Sequence, residues 1–165
     1  MPSEKATDGL LERATGRLLY WLVWLGLTPS RWPWTSCGTV ILEVRGRRSG
    51  RLQSTLVTWA EYVDRRYLVV MPAEEPQWVK NMRADDGRVT LRHGRCRTDV
   101  LLREVPRDER APILQIWFGT TGVSSPPRRH FGLGRHTGIK DFERLAGSHA
   151  VFRCERTEKS VNGAP

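Results

Sequence analysis

Residues 39–62 read TVILEVRGRRSGRLQSTLVTWAEY, and the fold turns on how this stretch divides. Thr39–Val44 is β-branched and apolar, the composition of a strand. Gly46–Arg51 (GRRSGR) cannot continue it, because its two glycines free the backbone for positive φ and the residues between them are polar. Leu52–Tyr62 then returns with partial alternation of apolar and polar residues. The spacing predicts two antiparallel strands about a tight turn, with Arg45, Arg47, Arg48 and Arg51 crowded beside it. Guanidinium forks next to flexible backbone suit a polyanion. A plain hairpin in an arginine-rich chain would carry the same residues.

Outward from this pair, the same reading continues to both ends. Arg66–Met71 is a third strand, continuous in its apolar residues and so buried on both faces. PAEEP (72–76) breaks it, and 77–85 reads as a short helix. A fourth strand over 87–92 and a fifth over 96–105 flank the His93-Gly94 turn. A helix follows over 107–118, with Ile113, Leu114 and Trp117 on neighbouring faces. Residues 119–136 are too rich in Gly, Pro and Ser for regular structure, and His149–Glu155 is a last strand. The expected fold is mainly β with helices: a mostly antiparallel small barrel with short outer helices. Its expected domains are a helical arm over 1–38, with a helix from about Gly9 to Gly26, a barrel over 39–155, and a polar tail over 156–165.

The chain has 165 residues, a net charge of +9 and a pI near 10.3. One core is expected at this length, and such a charge suits an acidic partner without requiring one. Cys37, Cys96 and Cys154 are scattered, odd in number and in no CxxC pair, and the histidines show no ligand spacing with them. No disulfide framework and no metal site is expected, and a reducing, cytoplasmic compartment is. The run Leu18–Leu27, between Arg17 and Arg31, is too short to span a bilayer, which takes about 20 residues. With Tyr20, Trp21 and Trp24 it is apolar nearly all round. Residues 17–34 therefore belong against the barrel, across a homodimer, or at a membrane surface with tryptophans at its boundary.

Two linked motifs add a resemblance that composition could not supply. Gly46, Arg47, Arg48, Ser49 and Gly50 form the first; Trp78, Asn81, Met82, Arg83 and Ala84 form the second about thirty residues on, in the same order and spacing. In both, and in the helix and closing strand that follow, the chain resembles the deazaflavin-dependent nitroreductase family, also called the nitroreductase/quinone reductase family, over roughly Thr39–Glu155. The resemblance implies a split β-barrel of the flavin-reductase type that binds coenzyme F-420, a hydride carrier with a phosphate and an oligoglutamate tail. It implies further that Arg47, Arg48, Ser49 and Gly50 meet that anionic tail. Gln53, Ser54, Thr55, Met71 and Pro72 would cradle the phosphate and ring, and Trp78, Asn81 and Arg83 would complete the site.

The activity so implied is hydride transfer from reduced coenzyme F-420 to a quinone-like or nitroaromatic small-molecule acceptor. Ser54, Thr55, Arg92 and His130 are polar groups able to donate to an acceptor oxygen, and none is singled out as a catalytic acid. The segment 119–138, with Phe131 between glycine-rich flanks, is the expected substrate lid. Two other readings stay open from the residues alone: the same barrel holding FMN, haem or another ligand, and a non-enzymatic nucleic-acid binder. Against the last, the aromatics fall mostly in apolar strand and helix positions, so no nucleic-acid partner is expected.

Overall fold

Backbone pairing begins with the predicted hairpin. β1 (Cys37–Arg45) runs antiparallel to β2 (Leu52–Tyr62), in register from Cys37↔Ala60 to Arg45↔Leu52. The computed structural model describes residues 17–25, 27, 37–70, 75–120 and 137–157. Within them, β3 (Arg65–Val69), β4 (Arg88–His93), β5 (Cys96–Glu104) and β6 (Val151–Arg156) complete a closed barrel in the order β1-β2-β3-β6-β5-β4. Every pairing is antiparallel. Closure rests on β1, which pairs β2 on one edge and, through Ile41–Glu43, β4 on the other. Among the described residues no strand keeps an unpaired edge for another chain to pair with. The expected antiparallel barrel is therefore what the chain forms, with helices outside it.

The period of two along each strand sorts side chains into two cores. Leu42, Trp59, Leu68, Val100, Leu102 and Phe152 fill the lumen, and Val79 and Met82 of α2 (Gln77–Ala84) join them as a plug at one end. The second core lies outside the barrel. There Ala60, Tyr67, Val69 and Val151 pack with Leu114, Trp117 and Phe118 of α3 (Arg110–Thr120) and Phe142 of α4 (Ile139–Ala146). β3 thus has one face in each core, which is why Tyr67, Leu68, Val69 and Val70 are all buried, as the continuous apolar run predicts. A further helix, α1, covers 17–25 of the N-terminal segment; the rest of the expected Gly9–Gly26 helix lies outside the described residues.

Some local features have no counterpart in the sequence expectations. α4 is one, although Gly138 and Asp141 mark its start: the Gly138 N–H donates to the Asp141 carboxylate at 3.1 Å. The β2–β3 turn is another. It is a two-residue loop of Val63 and Asp64 with φ of 48° and 56°, the left-handed geometry of a hairpin turn. Gly87 links α2 to β4 at φ 86°, where a Cβ would stand 2.5 Å from the Leu102 carbonyl oxygen. Only glycine fits that approach.

Candidate functional site

The arginine turn is built by its own backbone before any side chain acts. The Gly46 N–H donates to the Arg51 carbonyl at 2.9 Å and the Gly50 N–H to the Gly46 carbonyl at 2.8 Å. Gly50 sits at φ 65° with open space around it. The Arg45 guanidinium donates to the Gly50 carbonyl at 3.2 Å, and the Ser49 hydroxyl accepts from the Arg51 N–H at 3.3 Å. Arg47, Arg48, Ser49, Gly50 and Arg51 are all exposed, so the turn offers its cationic groups to solvent.

A buried amide ties this turn to α2. Asn81 is 3% exposed, and its Oδ1 accepts from the Arg47 N–H at 3.3 Å and from Arg47 Nη1 at 2.8 Å. Its Nδ2 donates to Gln53 Oε1 at 2.8 Å, while Arg47 Nη1 also donates to Gln77 Oε1 at 3.1 Å. Both lone pairs of the Asn81 oxygen are used, leaving one amide hydrogen for a further partner. The network holds one terminal nitrogen of Arg47, Nη1, and orients Gln53. Beside it lies a cavity of about 220 Å³ lined by Val44, Gln53, Ser54, Thr55, Pro76, Gln77 and Trp78. Trp78 is held edge-on to Phe152, with ring centroids 6.1 Å apart.

Of the residues that the resemblance points to, Arg47, Gln53 and Asn81 are joined by direct hydrogen bonds, and Ser54, Thr55 and Trp78 stand around the adjoining cavity. Arg48, Ser49 and Gly50 form the exposed rim of the turn. Arg83 is not with them: it pairs with Glu75 and, at 2.8 Å, with Glu104. Two places beyond Asn81, it leaves the helix on another side. Met71, Pro72 and most of the expected lid lie outside the described residues.

Tyr20 joins the site without a sequence motif to announce it. Its hydroxyl is 2.9 Å from Ser54 Oγ, which brings α1 to the wall of the cavity. The rest of α1 is less covered. Val23 is buried and its carbonyl accepts from the Gly94 N–H at 2.9 Å. Leu18, Trp21, Leu25 and Leu27 are each more than half exposed. Arg92 stacks on Trp24 at 4.7 Å and, with Arg97, flanks the buried carboxylate of Glu43 at 3.7 and 3.0 Å. Among the described residues no helix is long and apolar enough to cross a membrane, and no cluster of three or more His, Cys, Asp or Glu could hold a metal ion. Cys154 faces the lumen; burial pushes its thiol up to about 12, with Arg66 pulling the other way, so it is neutral at pH 7.

An antiparallel barrel with a cationic glycine turn fastened beside a small, partly aromatic cavity has the charge and shape to take an anionic, planar ligand. The chain belongs to the F420H(2)-dependent quinone reductase family, whose model matches residues 28–125. It is accordingly an oxidoreductase whose cofactor is coenzyme F-420. Among solved structures, one described as a domain-swapped dimer is 19% identical, with 91% of this chain and 99% of that one covered and a TM-score of 0.49. An F420-H2 dependent reductase (FDR-A) is 19% identical, with 71% and 93% covered and a TM-score of 0.48. A FAD-binding protein from Mesorhizobium loti is 17% identical, with 73% and 81% covered and a TM-score of 0.44. No curated protein matches the chain.

Proposed function

We propose that the chain reduces a quinone-like or nitroaromatic acceptor with coenzyme F-420 held at the arginine turn. The observation that carries this is the Asn81 network, which places exposed guanidiniums and a polar, partly aromatic cavity side by side. These residues fit a cofactor with a polyanionic tail and a planar ring. Arg47 and Arg48 meet phosphate and carboxylate groups with paired N–H donors. Trp78 offers an aromatic wall, and Ser54 and Thr55 offer hydroxyls to ring oxygens. Reduced deazaflavin supplies a hydride, and the protein's task is then to hold the acceptor in contact and to stabilise the charge that develops on it. The Tyr20–Ser54 hydroxyl pair is the donor placed for that second task. Family membership decides for an oxidoreductase over the nucleic-acid reading, while FMN at the same site is the alternative that a titration separates.

The site comprises the turn (Arg47, Arg48, Ser49, Gly50), the cavity residues (Gln53, Ser54, Thr55, Trp78) and the tie (Asn81). Met71 and Pro72 belong to it by resemblance alone, and Arg83 acts as a structural pair for Glu75 and Glu104. α1 serves as a peripheral contact with the membrane, because its exposed Leu18, Trp21 and Leu25 stand on the same short helix as Tyr20, with exposed Leu27 just beyond its end. An apolar acceptor dissolved in lipid would then meet the site directly. The enzyme works from the cytoplasmic side, consistent with scattered cysteines.

Fluorescence titration of the purified chain with coenzyme F-420, and with FMN in parallel, tests the cofactor. Tight binding of F-420 that falls roughly ten- to a hundredfold per residue in Arg47→Ala and Arg48→Ala supports the assignment. Unchanged affinity in both variants refutes it. Co-sedimentation with anionic vesicles tests α1: loss of binding in a Trp21→Ser/Leu25→Ser variant supports the membrane contact. Absence of sedimentation, with a concentration-dependent dimer that the same variant dissolves, assigns the surface to a second copy instead.

A further inference from the structure

At the end of the barrel away from α2, the lumen is open among the described residues. The strand ends there enclose a cavity of about 880 Å³ that reaches from the β2–β3 turn to β4, β5 and β6. Val40, Trp59 and Val100 make its apolar floor, and all three are buried. Above that floor the inward positions change character. Register and alternation turn Arg66 inward beside Leu68, Arg156 inward beside Val100, and Thr98 inward beside Leu91. A barrel that needed only a packed core would continue with apolar residues at these places, as it does toward α2.

The two inward arginines set the chemistry. The Arg66 guanidinium lies over the Trp59 ring at 4.6 Å from its centroid, held flat at the edge of the floor. Among the described residues neither Arg66 nor Arg156 forms an ion pair. Three carboxylates line the cavity: Glu155, which accepts from Arg153 at 3.0 Å, and Glu61 and Asp64 beside the β2–β3 turn. We propose that this open half of the lumen is a second binding site, for a small organic anion whose apolar body rests on Trp59, Val40 and Val100 and whose acidic head lies between Arg66 and Arg156. Its volume falls in the range of about 300–1,000 Å³ typical of small-molecule sites.

This site is separate from the cofactor cavity. Val40 lines one and Val44 the other, and four residues of extended strand place them about 13 Å apart. Buried Leu42, Leu68 and Leu102 lie in the lumen core shared by both ends. The proposal therefore does not depend on which cofactor the turn holds, and variants of the turn serve as its controls.

Isothermal titration of the full chain with naphthalene-1-sulfonate tests it, with naphthalene-1-methanol as the uncharged probe. The expected result is one site per chain that prefers the sulfonate. Arg66→Gln and Arg156→Gln should each weaken sulfonate binding roughly tenfold or more, as loss of a charged partner does. Thr98→Trp, which fills the lumen, should abolish binding of both probes. Arg47→Ala should leave it unchanged. Sulfonate binding that survives Arg66→Gln and Arg156→Gln with native melting curves overturns the proposal. So does binding lost in Arg47→Ala alone, or no measurable binding to the wild-type chain.

Discussion

Removing the Asn81 amide should cost the protein stability as well as cofactor affinity, because that side chain joins β2, the turn and α2. Asn81→Ala deletes a bond from the Arg47 guanidinium at 2.8 Å, one from the Arg47 N–H at 3.3 Å and one to Gln53 at 2.8 Å. A bond to a charged group is worth about 1.5–3 kcal/mol net and a neutral one about 0.5–1.5 kcal/mol. Arg47 and Gln53 are exposed and regain water when Asn81 is lost, so the lower part of the summed range applies, about 2.5–3.5 kcal/mol. In a chain of this size that lowers Tm by about 5–10 °C. Asn81→Asp keeps two acceptors for Arg47 and loses only the donor to Gln53, so it should recover most of the loss. Thermal melts of the three proteins by circular dichroism, and a double-mutant cycle with Arg47→Ala, measure this directly. A Tm for Asn81→Ala within about 2 °C of wild type, or no coupling in the cycle, would refute the reasoning.

The backbone makes two further predictions of opposite sign. Gly87→Ala places a Cβ 2.5 Å from the Leu102 oxygen at φ 86°, so it should lose more than the roughly 1–2 kcal/mol that a left-handed residue costs alone, read by urea unfolding. Val63 is a β-branched residue at φ 48°, and Val63→Asn should raise stability by about 1 kcal/mol because Asn tolerates that geometry. The Cys154 thiol, raised from 9.0 to about 12 in the fold, is neutral when folded and ionised when unfolded at intermediate pH. Its contribution is complete below about pH 9 and is lost as pH rises toward 12. Tm should therefore fall more steeply above pH 9 in the wild type than in Cys154→Ala, and native-state alkylation at pH 8 should modify exposed Cys96 and spare Cys154. Equal slopes or rapid labelling of Cys154 would contradict a thiol held neutral in the fold.

Legibility varied with how local the cause was. Thr39–Val44, the GRRSG turn and the doubly buried third strand follow from composition over a few residues, and all appear where they are expected. The Val63-Asp64 turn does not, because its first residue, β-branched Val63, disfavours positive φ even though Asp64 tolerates it. The registers of β2 with β3 impose it once Trp59 must face Leu68. Tyr20 carries no motif, and only the packing of α1 on the barrel brings it to Ser54. Arg83 belongs to the same motif as Asn81, yet helical rotation sends it to Glu75 and Glu104.

The sequence by itself determined the strand pattern, the cationic turn and, through two motifs in register, the family. These are properties of neighbours along the chain, set by β-branching, glycine freedom and spacing. Tertiary structure alone decided that Asn81 is a buried tie and not a free donor, since its partners lie 28 and 34 positions away. It also decided that Arg66 and Arg156 turn into the barrel. Which side of a strand is inside depends on how six strands close, and closure is a relation between segments that no single segment contains.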